Sequence, residues 1–163
     1  MKISIIGDGG WGSANAILLA NSGHDVTLWG AFPGYVAEME KSRENTKFLP
    51  GVKLPPSITL TSDCSKAVCG SDVVVFAPPS KYFASVCEKF RNLVKKDKLV
   101  VSLTKGLCET TNRRMTEIAQ DILEVDDVVA LAGPTHAEEV ARGIPTAIVA
   151  ASRDVSKARM VQA

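Results

Sequence analysis

The chain has 163 residues, 45% hydrophobic and 23% charged, which suits one folded domain with its own core and excludes a disordered chain. Its 19 basic and 18 acidic residues leave a net charge of +1, so no overall field favours nucleic acid or an anionic membrane as partner. No stretch reaches the roughly 18 apolar residues of a membrane span. The four cysteines (Cys64, Cys69, Cys87, Cys108) form no C-x-x-C pair and read as reduced thiols of a cytoplasmic protein, with no metal site.

In chain order, a β-branched strand over 2–6 runs into glycines that open a helix over 10–21. A strand over 25–29 and a helix over 33–43 follow. Residues 45–56 hold Pro50, Pro55 and Pro56 and are predicted to be an ordered loop before a short strand over 57–60. Val73-Val74-Val75-Phe76 is apolar throughout, the mark of a strand covered on both faces, within a strand over 73–77. Helix 82–94, strand 98–103, helix 111–123, strand 128–131, helix 135–141 and strand 147–151 complete the alternation. Asp154 or a neighbouring serine then offers an N-cap to one more helix. The pattern predicts an α/β fold, a doubly wound, mainly parallel sheet with helices on both faces.

The segment Gly7-Asp8-Gly9-Gly10-Trp11-Gly12 satisfies G-x-G-x-x-G between a strand and a helix, with the next strand at βαβ spacing. There the glycines have separate mechanical duties. Gly7 allows the tight turn, Gly9 lets backbone approach a diphosphate, and Gly12 lets the helix pack close to the strand. The unpaired amides and positive dipole end of the helix favour the phosphates of NAD or NADP. Choice between the two stays open: the second strand ends Trp29-Gly30-Ala31-Phe32-Pro33, with neither the acid that prefers NAD nor the arginine that accepts NADP. Along the sequence the next carboxylate is Glu38, inside the following helix. Phe32 offers its ring either to an adenine or to the core.

Three later strand ends carry candidates, because ligands of such sheets lie beyond the C-terminal ends of the strands. Pro79-Ser80, with Lys81 and Tyr82, either borders the nicotinamide or is a plain turn with Ser80 as helix cap. Lys105 either presents a compact positive charge to a substrate oxygen or is an ordinary exposed lysine. Gly133 and Thr135 either offer donors to a substrate or form a turn in which Thr135 caps a helix, with Glu138 as capping-box partner. His136 has the near-neutral pKa of a general base, or is simply a residue of the first helical turn.

Together, Gly7-Asp8-Gly9-Gly10-Trp11-Gly12-Ser13-Ala14, Gly23-His24-Asp25-Val26-Thr27-Leu28-Trp29, Asn45-Thr46-Lys47-Phe48-Leu49-Pro50-Gly51, Pro79-Ser80, Ser102-Leu103-Thr104-Lys105-Gly106-Leu107 and Gly133-Pro134-Thr135-His136-Ala137-Glu138-Glu139 resemble the N-terminal domain of the NAD(P)-dependent glycerol-3-phosphate dehydrogenase family. The resemblance covers nearly the whole chain. It implies a Rossmann domain over 1–163 that serves hydride exchange between sn-glycerol 3-phosphate and dihydroxyacetone phosphate. By the family pattern Gly10, Trp11 and Ala137 touch the dinucleotide, Lys105 reaches both cofactor and substrate, and Gly133 and Thr135 meet the substrate. The position of His136 is not a catalytic one there. The family's general-base lysine and phosphate-binding residues belong to a helical C-terminal domain without counterpart in this sequence. The chain therefore reads as the cofactor half of a longer enzyme, expected to bind cofactor with little turnover, the full-length protein being a candidate homodimer. Two other readings stand beside it: another two-domain hydroxyacid or sugar-phosphate dehydrogenase, and a non-catalytic dinucleotide-sensing module.

Overall fold

The computed structural model describes all residues, 1–163. Seven strands form one sheet: β1 (Lys2–Ile6), β2 (Asp25–Trp29), β3 (Thr59–Thr61), β4 (Val73–Phe76), β5 (Leu99–Ser102), β6 (Val129–Ala132) and β7 (Val149–Ala151). Their spatial order is β3-β2-β1-β4-β5-β6-β7. All neighbours pair in parallel except β6 and β7, which run antiparallel. The chain thus winds outward from β1 in one direction, returns to β4 on the other side of β1, and winds outward again. That reversal opens a crevice at the C-terminal ends of β1 and β4.

The helices are α1 (Gly10–Asn21), α2 (Pro33–Ser42), α3 (Cys64–Val68), α4 (Ser80–Phe90), α5 (Met115–Leu123), α6 (Ala137–Ala141) and α7 (Val155–Gln162). Alternation along the buried strands divides the core in two. Val73 and Val75 join Ile3, Ile5, Ala14, Ile17 and Val140 on one face, with α1, α2 and α6. Val74 and Phe76 join Phe83, Phe90, Ile118 and Leu123 on the other, with α3, α4 and α5. The all-apolar run of β4 is buried at every position, as its composition requires of a strand with helices on both sides. No helix is long and apolar enough to cross a membrane.

Several boundaries differ from the sequence reading, each for a local reason. Helix α3 was not foreseen; Asp63 caps it by accepting from the amides of Ser65 (2.8 Å) and Lys66 (3.1 Å). Helix α5 begins at Met115 rather than 111, because residues 107–114 close a small hairpin held by the Leu107–Arg114 bridge and by Cys108 N–H donating to Arg113 O. Pro79, not Ser80, occupies the cap of α4, and no side chain caps that helix. The expected Thr135–Glu138 capping box is absent: α6 starts two residues later, with His136 at its cap, and the oxygens of Thr135 are engaged elsewhere.

Candidate functional site

The glycine loop sits where β1 ends, at the reversal of strand order. Gly7 has φ 122, and a Cβ there would lie 2.9 Å from both Ala77 C and Pro78 N. Two demands, left-handed backbone and close approach to the end of β4, thus exclude any other residue. A Cβ on Gly12 would collide with the carbonyl of Gly7, so its lack of a side chain lets α1 seat on the loop. At Gly10 the obstacle is the carbonyl of Phe48, and Ala137 stands 3.7 Å from the same point. Gly9 differs from all three: nothing lies within 4 Å of the Cβ it lacks, so the mouth of α1 opens onto free space.

A residue the sequence reading left without a role holds this loop in place. Asn45 is fully buried. Its Nδ2 donates to Asp8 O and to Ser13 Oγ, both at 2.7 Å, while its Oδ1 accepts from Tyr35 Oη at 2.6 Å and from Phe48 N at 3.1 Å. All four positions of the amide are satisfied, which locks the proline-rich loop onto the glycine loop. Arg43 anchors the other end of that segment by donating to Pro55 O and to Ile58 O. The signal in the sequence was an isolated asparagine before Leu49-Pro50-Gly51; only its partners reveal its use.

Lys105, Gly133, Thr135 and Trp11, drawn from three separate segments, come together. Lys105 Nζ donates to Thr135 O at 2.9 Å and Thr135 Oγ1 at 3.2 Å, with Gly133 O at 3.4 Å. The same ammonium stands 5.5 Å from the centroid of the Trp11 ring, a cation–π distance. Trp11 Nε1 is buried without a hydrogen-bond partner, and so is Ser102 Oγ at the end of β5. A cleft of about 260 Å³ lies between the ends of β5 and β6, lined by Ser102, Thr104, Lys105, Gly133, Arg114 and Met115. Thr104 closes its inner side by donating to Pro78 O at 2.7 Å, tying β5 to the loop after β4.

The remaining candidates except Ala137 stand apart from this cluster. Phe32 is 71% exposed at the cap of α2, beyond the end of β2, and is not a core residue. Tyr82 is 54% exposed on the first turn of α4, with Lys81 Nζ 5.8 Å from its ring. His136 is exposed and its side chain caps nothing. Ala137 packs beside Gly10, as noted above. The carboxylate nearest the end of β2 in space is Asp8, not Glu38: its Oδ2 is buried against Gly30 with no partner. Burial raises its pKa above the ordinary carboxylate value, partly offset by its backbone and by the positive charge of Lys47.

A parallel sheet of this order with a glycine loop at its switch point defines a dinucleotide-binding α/β domain of the Rossmann type. Residues 2–158 match the family described as NAD-dependent glycerol-3-phosphate dehydrogenase N-terminus, and the chain belongs to that family. It is 43% identical to a glycerol-3-phosphate dehydrogenase (NAD(P)+) of Syntrophomonas wolfei over 99% of this chain and 48% of that protein. A protein of the same name from a Thermoanaerobacter species shares 43% identity over the same fractions. Among solved structures, glycerol-3-phosphate dehydrogenase from Coxiella burnetii superposes with a TM-score of 0.91 at 29% identity, over 98% of this chain and 49% of that one. The chain thus spans about half the length of the relatives it matches.

Proposed function

We propose that this chain is the NAD(P)-binding half of an oxidoreductase that interconverts sn-glycerol 3-phosphate and dihydroxyacetone phosphate. The observation that carries the reading is the open space over Gly9, at the mouth of a helix whose other loop glycines are all closed in by backbone. The residues present suit a dinucleotide. Gly7, Gly9, Gly10 and Gly12 shape a backbone cradle, the first amides of α1 face the opening, and the orphaned Nε1 of Trp11 is a donor still to be used. Nicotinamide, when bound, supplies the hydride chemistry.

The protein contributes orientation and charge. Lys105 is held by the oxygens of Thr135 and Gly133, so its ammonium is aimed rather than free, and it presents positive charge where a substrate oxygen gains negative charge. Gly133 borders the same cleft and Thr135 holds the lysine that lines it; both are assigned to the substrate, whereas Ala137, Phe32 and Tyr82 are assigned to the cofactor. In this reading the general base comes from a helical domain outside residues 1–163, and the complete protein works as a cytoplasmic homodimer. The four free cysteines suit a reducing compartment.

The test is a single alanine substitution. Gly9→Ala places a methyl group in open space, so its urea midpoint is expected within about 0.5–1 kcal/mol of the parent, while NADH affinity falls about tenfold or more. Titration of Trp fluorescence reads the affinity. Unchanged affinity in a folded Gly9→Ala chain overturns the proposal.

A further inference from the structure

The 2′ position of the adenosine ribose is read, in folds of this kind, by a group at the C-terminal end of the second strand. Here β2 ends in Trp29-Gly30-Ala31, with no ionisable side chain, and Gly30 leaves an empty place where one would begin. That place is filled from the glycine loop after β1. A Cβ built on Gly30 would collide with Asp8 Oδ2 and lie 2.9 Å from Asp8 Cγ and 2.8 Å from Val36 Cγ2. The carboxylate therefore stands one residue beyond β2, where that strand's own acid would project.

We propose that Asp8 supplies the acid that β2 lacks, and that it makes this chain select NAD(H) over NADP(H). The inference rests on the dinucleotide reading above and adds a residue and a direction to it. Two observations argue against a purely structural aspartate. Its Oδ2 is buried and takes no hydrogen bond, whereas a carboxylate that served packing would be satisfied. Burial also penalises its charged form, so the fold bears a cost that an alanine or asparagine would remove. A ribose hydroxyl donating to the carboxylate relieves that cost. A 2′-phosphate brought to the same place adds like charge to it. The opposing term is Lys47, whose charge acts on Asp8 and whose Nζ lies 5.3 Å from the Tyr35 ring and 6.0 Å from the Phe48 ring. An ammonium so placed also attracts a 2′-phosphate, so the balance between Asp8 and Lys47 sets the preference.

The experiment is calorimetric titration of the 163-residue chain with NADH and with NADPH, repeated for Asp8→Asn and Asp8→Ala. The parent is expected to bind NADH about tenfold or more tightly than NADPH. Asp8→Asn keeps the shape and removes the charge; it is expected to bring the two affinities together, chiefly by gaining NADPH binding. Both variants are expected to melt no lower than the parent, which keeps loss of fold from mimicking the effect. A parent that prefers NADPH, or a ratio that Asp8→Asn leaves unmoved, overturns the role of Asp8 and spares the dinucleotide reading. A folded parent that binds neither dinucleotide overturns both.

Discussion

Asn45 shows how much a single buried amide decides. Removing it as Asn45→Ala leaves Asp8 O, Ser13 Oγ, Tyr35 Oη and Phe48 N–H without their shared partner, three of them at the glycine loop or directly over it. A loss of about 2–4 kcal/mol is expected, the scale of several buried groups left unsatisfied, read from urea unfolding. Cysteine reactivity gives a second check at this scale. Hydrogen bonds from Thr110 and Thr111 pull the Cys108 thiol down to about 6, whereas burial pushes Cys87 up to about 12. Since the thiolate is the reactive form, iodoacetamide at neutral pH is expected to modify Cys108 and leave Cys87 intact in the folded chain, as peptide mass analysis would show. On the proposed reaction, Lys105→Ala in the complete protein is expected to lower kcat/KM by about a hundredfold or more, the effect of losing one aimed charge.

The elements respond to their ends. Gly12→Ala drives a methyl group into the carbonyl of Gly7 and forces α1 off its strand. A cost of about 4 kcal/mol or more is expected, as for other severe packing conflicts, in contrast to the tolerated Gly9→Ala. Helix α5 begins with a charge-assisted cap in which Arg114 Nη2 meets Glu117 Oε1 at 2.7 Å and Glu117 Oε2 accepts from Arg114 N at 2.9 Å. The hydrogen bond from the Arg114 side chain, first, and that from its backbone hold the Glu117 carboxyl at about 2, below its ordinary 4.5. A depressed carboxylate stabilises the fold above its unfolded pKa and ceases to as pH falls through the folded one. The contribution of this cap is therefore complete above about pH 4.5 and lost between there and about 2. Arg114→Ala should return the Glu117 titration toward its ordinary value, which carboxyl NMR shifts would report.

For the whole molecule, the proposed division of labour predicts binding without useful turnover. The chain spans about half of its relatives, and Lys105 is the only cation among the residues assigned to cofactor and substrate. Residues 1–163 alone are expected to bind NADH yet oxidise it with dihydroxyacetone phosphate far more slowly than a complete homologue, followed by loss of nicotinamide absorbance. Equal rates for the two would show that the chemistry needs nothing beyond this domain.

How much of this was legible in the sequence follows from the range of the interactions. Strand β4, the glycine loop and α1 are specified by neighbours a few residues apart, so apolar runs, glycine spacing and the strand-to-helix order announced them, and with them the doubly wound class. The start of α5 and the cap of α6 were misjudged because a residue competing for the capping group, or closing a hairpin before the helix, comes from outside the local window. The family resemblance assigned Lys105, Thr135 and Trp11 to one site, but the contacts that join them, the closure of Asn45 over the loop, and the lodging of Asp8 beside Gly30 were not readable. They link residues 22 to 37 or more positions apart, brought together only when parallel strands set their C-terminal ends side by side. Local pattern determined the sheet and its glycine loop; the register of the strands decided which side chains meet at its rim.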